Sequence, residues 1–442
     1  MSLTTPPSAA GLEVSRRRFL ASTATGLAVL AMPPSSAETL AADGVSEGAA
    51  TRSADWNQWR GPARTGFAER EATPDSLDEQ HLKALWNVAI EPSYSGPLIV
   101  GDAVYSTATV GGKTEYVYAF DRKTGGKRWE QKWEGAITVP FFAKANGDWI
   151  RGTPAFAHDR LYVPGIRDLL VCLEASTGEV LWKFDFVEKF QSALPTFGFV
   201  ASPLVTEKAV FVQAGGGVCA LDPRNGTLLW RSFEDGGGMN GSAFASPYLG
   251  EIDGTLQLLI QSREKLAGLD SETGKVLWQL PIPAFRGMNI ATPVIWNDQI
   301  FTTSYGGGSI LIRPEKKADG EWGVTEVWKN KVQGYMSTPV IFENHAYLHL
   351  RNQRFACIDL ATGKEAWITQ PFGKYWSLVA IGDRLLSLDE TGVLRLIAMT
   401  PGKYTELSSR QLKDNSWAHL ALAGDQIAIR DLNGLTLYRW VR

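Results

Sequence analysis

Residues 171–184 read VCLEASTGEVLWKF, and three later stretches lie on top of them: CALDPRNGTLLWRS from Cys219, AGLDSETGKVLWQL from Ala267 and ACIDLATGKEAWIT from Ala356. Each is an apolar run, an acidic residue, a few turn residues, a glycine, and a second run that carries tryptophan. The tryptophans are Trp182, Trp230, Trp278 and Trp367; 48 residues separate the first from the second and 48 the second from the third. Self-similarity at a period of ~40–50 residues marks an array of small β-sheets, usually a propeller.

Working outward from Cys219, the whole unit starts at Ser202: SPLVTEKAVFVQAGGGVCALDPRNGTLLWRS. Short β-rich runs at 203–206, 209–213, 218–222 and 227–231 are separated by Glu207-Lys208, by three glycines and by Pro-Arg-Asn-Gly. Asn and Gly accept the positive φ that tight turns ask for. Four short antiparallel strands with such turns make one blade.

Eight units follow, beginning near Gly96, Thr153, Ser202, Ser246, Thr292, Thr338, Leu378 and Leu420. The first six carry a proline next: Pro97, Pro154, Pro203, Pro247, Pro293 and Pro339. Unit five has EKKADGEWGVTEVW in place of the short turn, and unit seven has MTPGKYTELS where the Trp strand belongs. An unclosed β-sandwich would not keep so regular a period. Unit eight supplies about three strands before the chain stops at Arg442, while HLKALWNVAI from His81 is an orphan Trp strand with Trp86 in the repeat position. The expectation is an all-β, eight-bladed propeller over residues 81–442, with the N-terminal strand completing the last blade so that no sheet edge is left open there. A tryptophan on each outer strand buries ~150–250 Å² and fills the wedge between blades, so most of the Trp residues are structural.

The front of the chain reads as an export signal over residues 1–37. Ser15-Arg16-Arg17-Arg18-Phe19-Leu20 has the twin-arginine form, an apolar stretch follows at 21–32, and Ser35-Ser36-Ala37 is a small-residue cleavage site. The apolar stretch is too short to span a bilayer. The expected mature protein is periplasmic or secreted, without a membrane span, and monomeric. Residues 38–80 read as a linker that includes WNQWRGP, with Trp56 and Trp59 clasped to the propeller surface.

The net charge is −3, and removal of residues 1–37 with their three Arg and one Glu brings it to about −5. That leaves no basic face for nucleic acid. Cys172, Cys219 and Cys357 fall on third strands of different units, as buried free thiols. His345 and His349, on one strand, would stand roughly 13 Å apart and cannot share a zinc ion. Gly111-Gly112-Lys113-Thr114 lacks the first glycine of a phosphate loop and sits in a hairpin. The repeat acids Glu174, Asp222, Asp270 and Asp359 read as turn caps.

The repeat, as in residues 267–278, resembles the quinoprotein (PQQ-like) pattern A-x-D-x-x-T-G-x-x-x-W, which units two, three, four and six match. The resemblance implies an eight-bladed propeller and two branches of function: pyrroloquinoline-quinone dehydrogenases of alcohols or sugars, and non-enzymatic propellers that bind proteins in the cell envelope. The dehydrogenase branch typically uses an adjacent cysteine pair and a Glu, Asn and Asp set for calcium. This chain has no Cys-Cys pair, so neither PQQ nor calcium is expected, and no catalytic or metal-binding residue is assigned. The expected function is binding of a protein partner through the funnel rim; a glycan or cell-wall ligand is the other non-enzymatic reading. The connections from each Trp strand to the next unit are unusually apolar. The candidate contact residues there are Trp149, Arg151, Phe199, Met239, Asn240, Arg286, Met288, Asn289, Tyr335, Met336, Tyr375, Trp376 and Trp417, with Phe197 and Phe244 beside them. Met288, Tyr335, Met336, Tyr375 and Trp376 are expected to form one exposed patch.

Overall fold

The computed structural model describes residues 55–68, 74–141, 143, 147–235, 243–412 and 417–441. The export signal, most of the linker, and Met239 and Asn240 lie outside the described residues. No helix among the described residues is long and apolar enough to cross a membrane.

The described strands form eight four-stranded antiparallel sheets. Blade 1 comprises Leu98–Val100, Ala103–Val110, Thr114–Asp121 and Lys127–Glu134, from the axis outward. Gly111-Gly112-Lys113 is the turn of its middle hairpin, as the sequence suggested. Six further blades repeat this plan. The eighth takes Ala421–Ala423, Gln426–Asp431 and Gly434–Trp440 from the C-terminal end and Leu82–Ala89 from the N-terminal side. Leu82–Ala89 pairs antiparallel with Gly434–Trp440, placing Trp86 opposite Leu437. The innermost strand of this blade touches that of blade 1, which closes the ring.

The core is divided into wedges between successive blades. Cys219 and Val212 of blade 3, for example, pack with Tyr162 and Cys172 of blade 2. All three cysteines are free and buried. Burial pushes the thiols of Cys172 and Cys357 up to about 12 and that of Cys219 higher, so they are inert fillers of the wedges.

The repeat is explained by one contact between neighbouring blades. The indole Nε1 of Trp182 donates to Pro223 O, that of Trp230 to Ser271 O and that of Trp328 to Leu360 O, each carbonyl lying just after the next blade's turn acid. The turn glycine then lies on the ring: a Cβ on Gly226 would come within 2.7 Å of Trp182, and one on Gly274 within 2.6 Å of Trp230. These glycines also hold φ of +72° and +73°, so both space and backbone demand glycine. The acid fixes the turn, with Asp270 Oδ1 accepting from the backbone N–H of Glu272 and Thr273. A β-bulge sets the indole's direction. Between Cys219–Ala220–Leu221 and its partner strand the register slips past Leu229, and the same slip skips Leu85, Leu181 and Val327. Bulges add twist and re-aim side chains. Here they swing the Trp toward the next blade and leave the preceding apolar residue facing solvent, which accounts for Leu229 at 50 % exposure.

Blade 1 joins this pattern through AFDRKTGGKRW from Ala119, a repeat that the sequence comparison passed over: Trp129 Nε1 donates to Ala175 O. Trp86 docks likewise on Arg122 O. Trp278 does not. Blade 5 has lost the turn that would receive it, and its indole donates to Gln257 Oε1 in its own blade instead.

A second belt runs around the axis. In blades 2 to 6 the residue before the blade-entry proline bears a hydroxyl that accepts the backbone N–H of its counterpart one blade earlier: Gly96 N to Thr153, Thr153 N to Ser202, Ser202 N to Ser246, Ser246 N to Thr292 and Thr292 N to Thr338, all 2.9–3.0 Å. The series runs from blade 1 to blade 6; between blades 7 and 8 the bond is reversed, with Ser377 Oγ accepting from Leu420 N.

Candidate functional site

The segment 55–68 corrects the expected surface clasp. Instead of lying on the outside, it runs into the axis. Trp56 pairs with Ile99 of blade 1, Asn57 O accepts from Phe156 N of blade 2, and Gly66 and Ala68 bond Ala380 of blade 7. Arg64 donates to Ser202 O and Pro203 O of blade 3, and Arg60 to Thr338 O and Pro339 O of blade 6, across the ring. Both guanidiniums are almost fully buried, and desolvation lowers them from 12.5 to about 10 for Arg60 and about 9 for Arg64, so they remain cations at neutral pH. Five donors in a rigid fork are what lets an arginine gather several carbonyls at once. Both guanidiniums also lie over the Trp59 indole, at 5.6 and 5.2 Å.

Trp59 is therefore a floor. On its other side the axis opens into a cavity of about 760 Å³. Belt residues Thr153, Ser202, Ser246, Thr338 and Ser377 and the ring of His419 line its lower wall. His419 packs edge-on to Trp59 at 5.7 Å, and desolvation and the nearby Arg60 hold its imidazole down to about 4, hence neutral.

The mouth has two unlike halves. On blades 6, 7, 8 and 1 an arc of rings runs Tyr335, Tyr375, Trp417 and Tyr94, with successive centroids 6.1, 3.9 and 4.8 Å apart. Burial raises the phenols of Tyr335 and Tyr375, and that of Tyr94 to about 12, so the arc is uncharged. On blades 2 to 5 the wall carries Phe197, Phe244 and Phe285 with three arginines, Arg151, Arg263 and Arg286. Arg263 lies 4.8 Å over Phe244 and Arg286 5.2 Å over Phe285. A short 3-10 turn, Phe285–Gly287, with Arg286 at φ 52°, pushes Phe285 out to 46 % exposure at the lip.

Of the candidate residues, Arg151, Arg286, Met288, Tyr335, Met336, Tyr375, Trp376 and Trp417 are gathered around this cavity. Trp149 packs outside it, edge-on to Tyr94 at 5.2 Å. Phe199 is buried in the wedge between blades 2 and 3. Asn289 is fully buried and pins the 3-10 turn by donating to Arg263 O and Ile282 O. Trp376 belongs to the core more than to a surface: it is 1 % exposed and stacks between Phe355 and His349, both 4.9 Å away. The patch expected from Met288 to Trp376 is thus a half-buried cavity wall with Trp376 behind it. The sequence reading missed Trp59, Tyr94, Arg263 and Phe285. The aromatic entry turns were a signal for Tyr94; nothing periodic pointed to Arg263.

Among the described residues no group of three His, Cys, Asp or Glu could hold a metal ion. Glu264 is the one carboxylate among the described lining residues. Calcium takes roughly six to eight oxygen ligands, and the cysteines are sealed in the wedges, so the described lining does not fit a calcium–quinone pair.

Fold and repeat together define a PQQ-like repeat propeller. The family described as outer membrane protein assembly factor BamB matches residues 113–369, more than half of the chain, and the chain belongs to it. BamB of Yersinia pestis is 23% identical over 314 residues, 68% of this chain and 75% of that protein. The polyvinylalcohol dehydrogenase of a Sphingopyxis species is 26% identical over 271 residues; the match takes in 52% of this chain and only 40% of the dehydrogenase. Among solved structures, BamB from Moraxella catarrhalis superposes with a TM-score of 0.59 at 16% identity, over 81% of this chain and 97% of that one. The quinohemoprotein alcohol dehydrogenase of Pseudomonas putida HK5 gives 0.60 at 13%, over 88% and 80%. These likenesses bear on the fold alone.

Proposed function

We propose that this protein is an exported, non-catalytic scaffold that binds a protein partner in the cell envelope through the mouth of its axial cavity. The observation that carries the reading is the floored cavity whose mouth is ringed by aromatic, methionine and arginine side chains from successive blades. Aromatics, Met and Arg are the residues enriched where protein interfaces hold most of their energy. A rigid ring presenting them on short loops is how binding residues are usually mounted. Membership in a family described as an assembly factor supports the same reading, and the twin-arginine pattern of residues 15–20 supports export. Quinone chemistry has no part in this reading.

The test is capture from the native envelope by immobilised protein. Tyr335→Asp and Trp417→Asp, both at half-buried positions of the mouth, are expected to abolish capture of the partner held by the unsubstituted protein, with little change in melting temperature. Stoichiometric uptake of pyrroloquinoline quinone with calcium, accompanied by dye reduction, would overturn the proposal.

A further inference from the structure

The polar inventory of the cavity wall is one-sided. Among its lining residues the buried side-chain atoms left without a hydrogen-bond partner are Arg151 Nε, Arg263 Nε and Nη1, and Trp376 Nε1, and every one of them is a donor. Arg263 is 6 % exposed and its one hydrogen bond runs from Nη2 to Arg286 O. Desolvation lowers its guanidinium, against the opposing pull of the charges of Asp235 and Glu264. A buried cation with unused donors is costly until an acceptor arrives. The wall therefore holds donors left over, and a carboxylate, which takes two parallel N–H bonds from a guanidinium, is the group that uses them.

Shape restricts what can carry that carboxylate. Trp59, locked by Arg60 and Arg64, closes the axis, so no chain can thread through; the cavity admits an end or a tip. Its volume lies within the range of about 300–1,000 Å³ typical of pockets for compact ligands, enough for a few residues and far too small for a folded element. The uncharged arc of Tyr335, Tyr375, Trp417 and Tyr94 faces the arginine half and offers ring surface to a large apolar side chain. A carboxylate and such a side chain on one residue, at a tip, occur together at the carboxyl terminus of a polypeptide.

Resting on the partner-binding reading above, we infer that the cavity receives the carboxyl-terminal end of a protein whose last residue is aromatic or large and apolar. The carboxylate meets Arg263 and Arg286, and the side chain lies on the tyrosine–tryptophan arc. Capture of a terminal carboxylate is an established mode of peptide recognition; the donor-rich wall and the blind floor assign it to this site.

The probes are two forms of one peptide, acetyl-glycyl-seryl-leucyl-phenylalanine as free acid and as amide, titrated calorimetrically. The acid is expected to bind at least tenfold more tightly than the amide. Arg263→Gln should bring that ratio close to one. Arg286→Gln, whose side chain is exposed and whose melting temperature should not move, should lower it several-fold. Equal binding of acid and amide overturns the carboxylate assignment and leaves the apolar mouth standing. Binding of neither, by protein that still captures its envelope partner, overturns the chain-end assignment while the partner reading survives.

Discussion

The outer girdle and the axial end of this molecule meet the same need, holding eight blades in a ring, by opposite means. At the girdle one contact is made again and again: an indole N–H on the next blade's turn carbonyl, with a glycine lying on the ring. At the axis one unrepeated segment does the work, with Arg60 and Arg64 holding blades 6 and 3, three steps apart around the ring. The difference is one of redundancy. The girdle keeps its form where Trp278 finds no docking turn, because each contact serves only one pair of blades. The axial segment has no duplicate. Replacing both arginines strands the four blade carbonyls they hold and opens the floor.

The sharpest way to break that contrast is Arg60→Ala combined with Arg64→Ala. The pair is expected to cost on the order of 5 kcal/mol, as buried networks do when their hub is removed. Denaturant unfolding measures it, and a loss below about 1 kcal/mol would put the axis on the same footing as the girdle.

A middle layer of contacts adds a pH dependence. Glu115 accepts from Trp133 Nε1 and from Ile166 N of the next blade, and Asp168 from Gly215 N of the blade after that. Desolvation is the main cause that raises both carboxyls to about 7 in the fold, from 4.5 and 3.8. The folded state then binds more protons than the unfolded between about pH 4 and 7. Their contribution is full below the unfolded values and is lost as pH rises through the folded ones, by roughly 3 kcal/mol for Glu115 alone and roughly 4 kcal/mol for Asp168 alone. Melting temperature should fall across that window and level off above it. Glu115→Gln and Asp168→Asn should each flatten the slope; an unchanged slope in both would remove these carboxyls from the account.

The smallest effect sharpens the girdle itself. Gly274 and Gly320 both hold positive φ, +73° and +87°, but a Cβ on Gly274 meets Trp230 whereas one on Gly320 meets nothing within 4 Å. Gly320→Ala should cost about 1 kcal/mol from backbone strain, and Gly274→Ala about 2–3 kcal/mol because it also displaces the indole. Equal losses would mean that the docking contact holds nothing.

The girdle was legible in the sequence because it is periodic and local: acid, glycine and tryptophan recur at fixed offsets, and even the closing strand was visible from Trp86 alone. The hydroxyl belt left a trace as well, in the Ser or Thr before five of the entry prolines, but its meaning lies in neighbours some 44–57 residues away. The axial segment left none. Arg60 and Arg64 bind main-chain carbonyls, which every residue type offers, so no pattern in blades 3 or 6 announces them. The entry turns marked the end of the propeller at which the cavity opens, and Tyr335, Tyr375 and Trp417 do meet there. Aromaticity alone could not separate Trp376, stacked in the core, from Tyr375 beside it, because the two differ only in the direction the turn gives them.

The inward course of residues 55–68 also sets an order of assembly. Arg60 reaches carbonyls 278 and 279 positions further along the chain, and Arg64 others 138 and 139 away. Those acceptors have no fixed positions until blades 3 and 6 stand across from each other. The segment that leaves the ribosome ahead of every blade is therefore a keystone, set last into an arch whose stones come after it, and contacts of such separation are the slow ones to form. The finished ring bears the record of its own completion: the floor of the cavity exists only in molecules that have folded to the end.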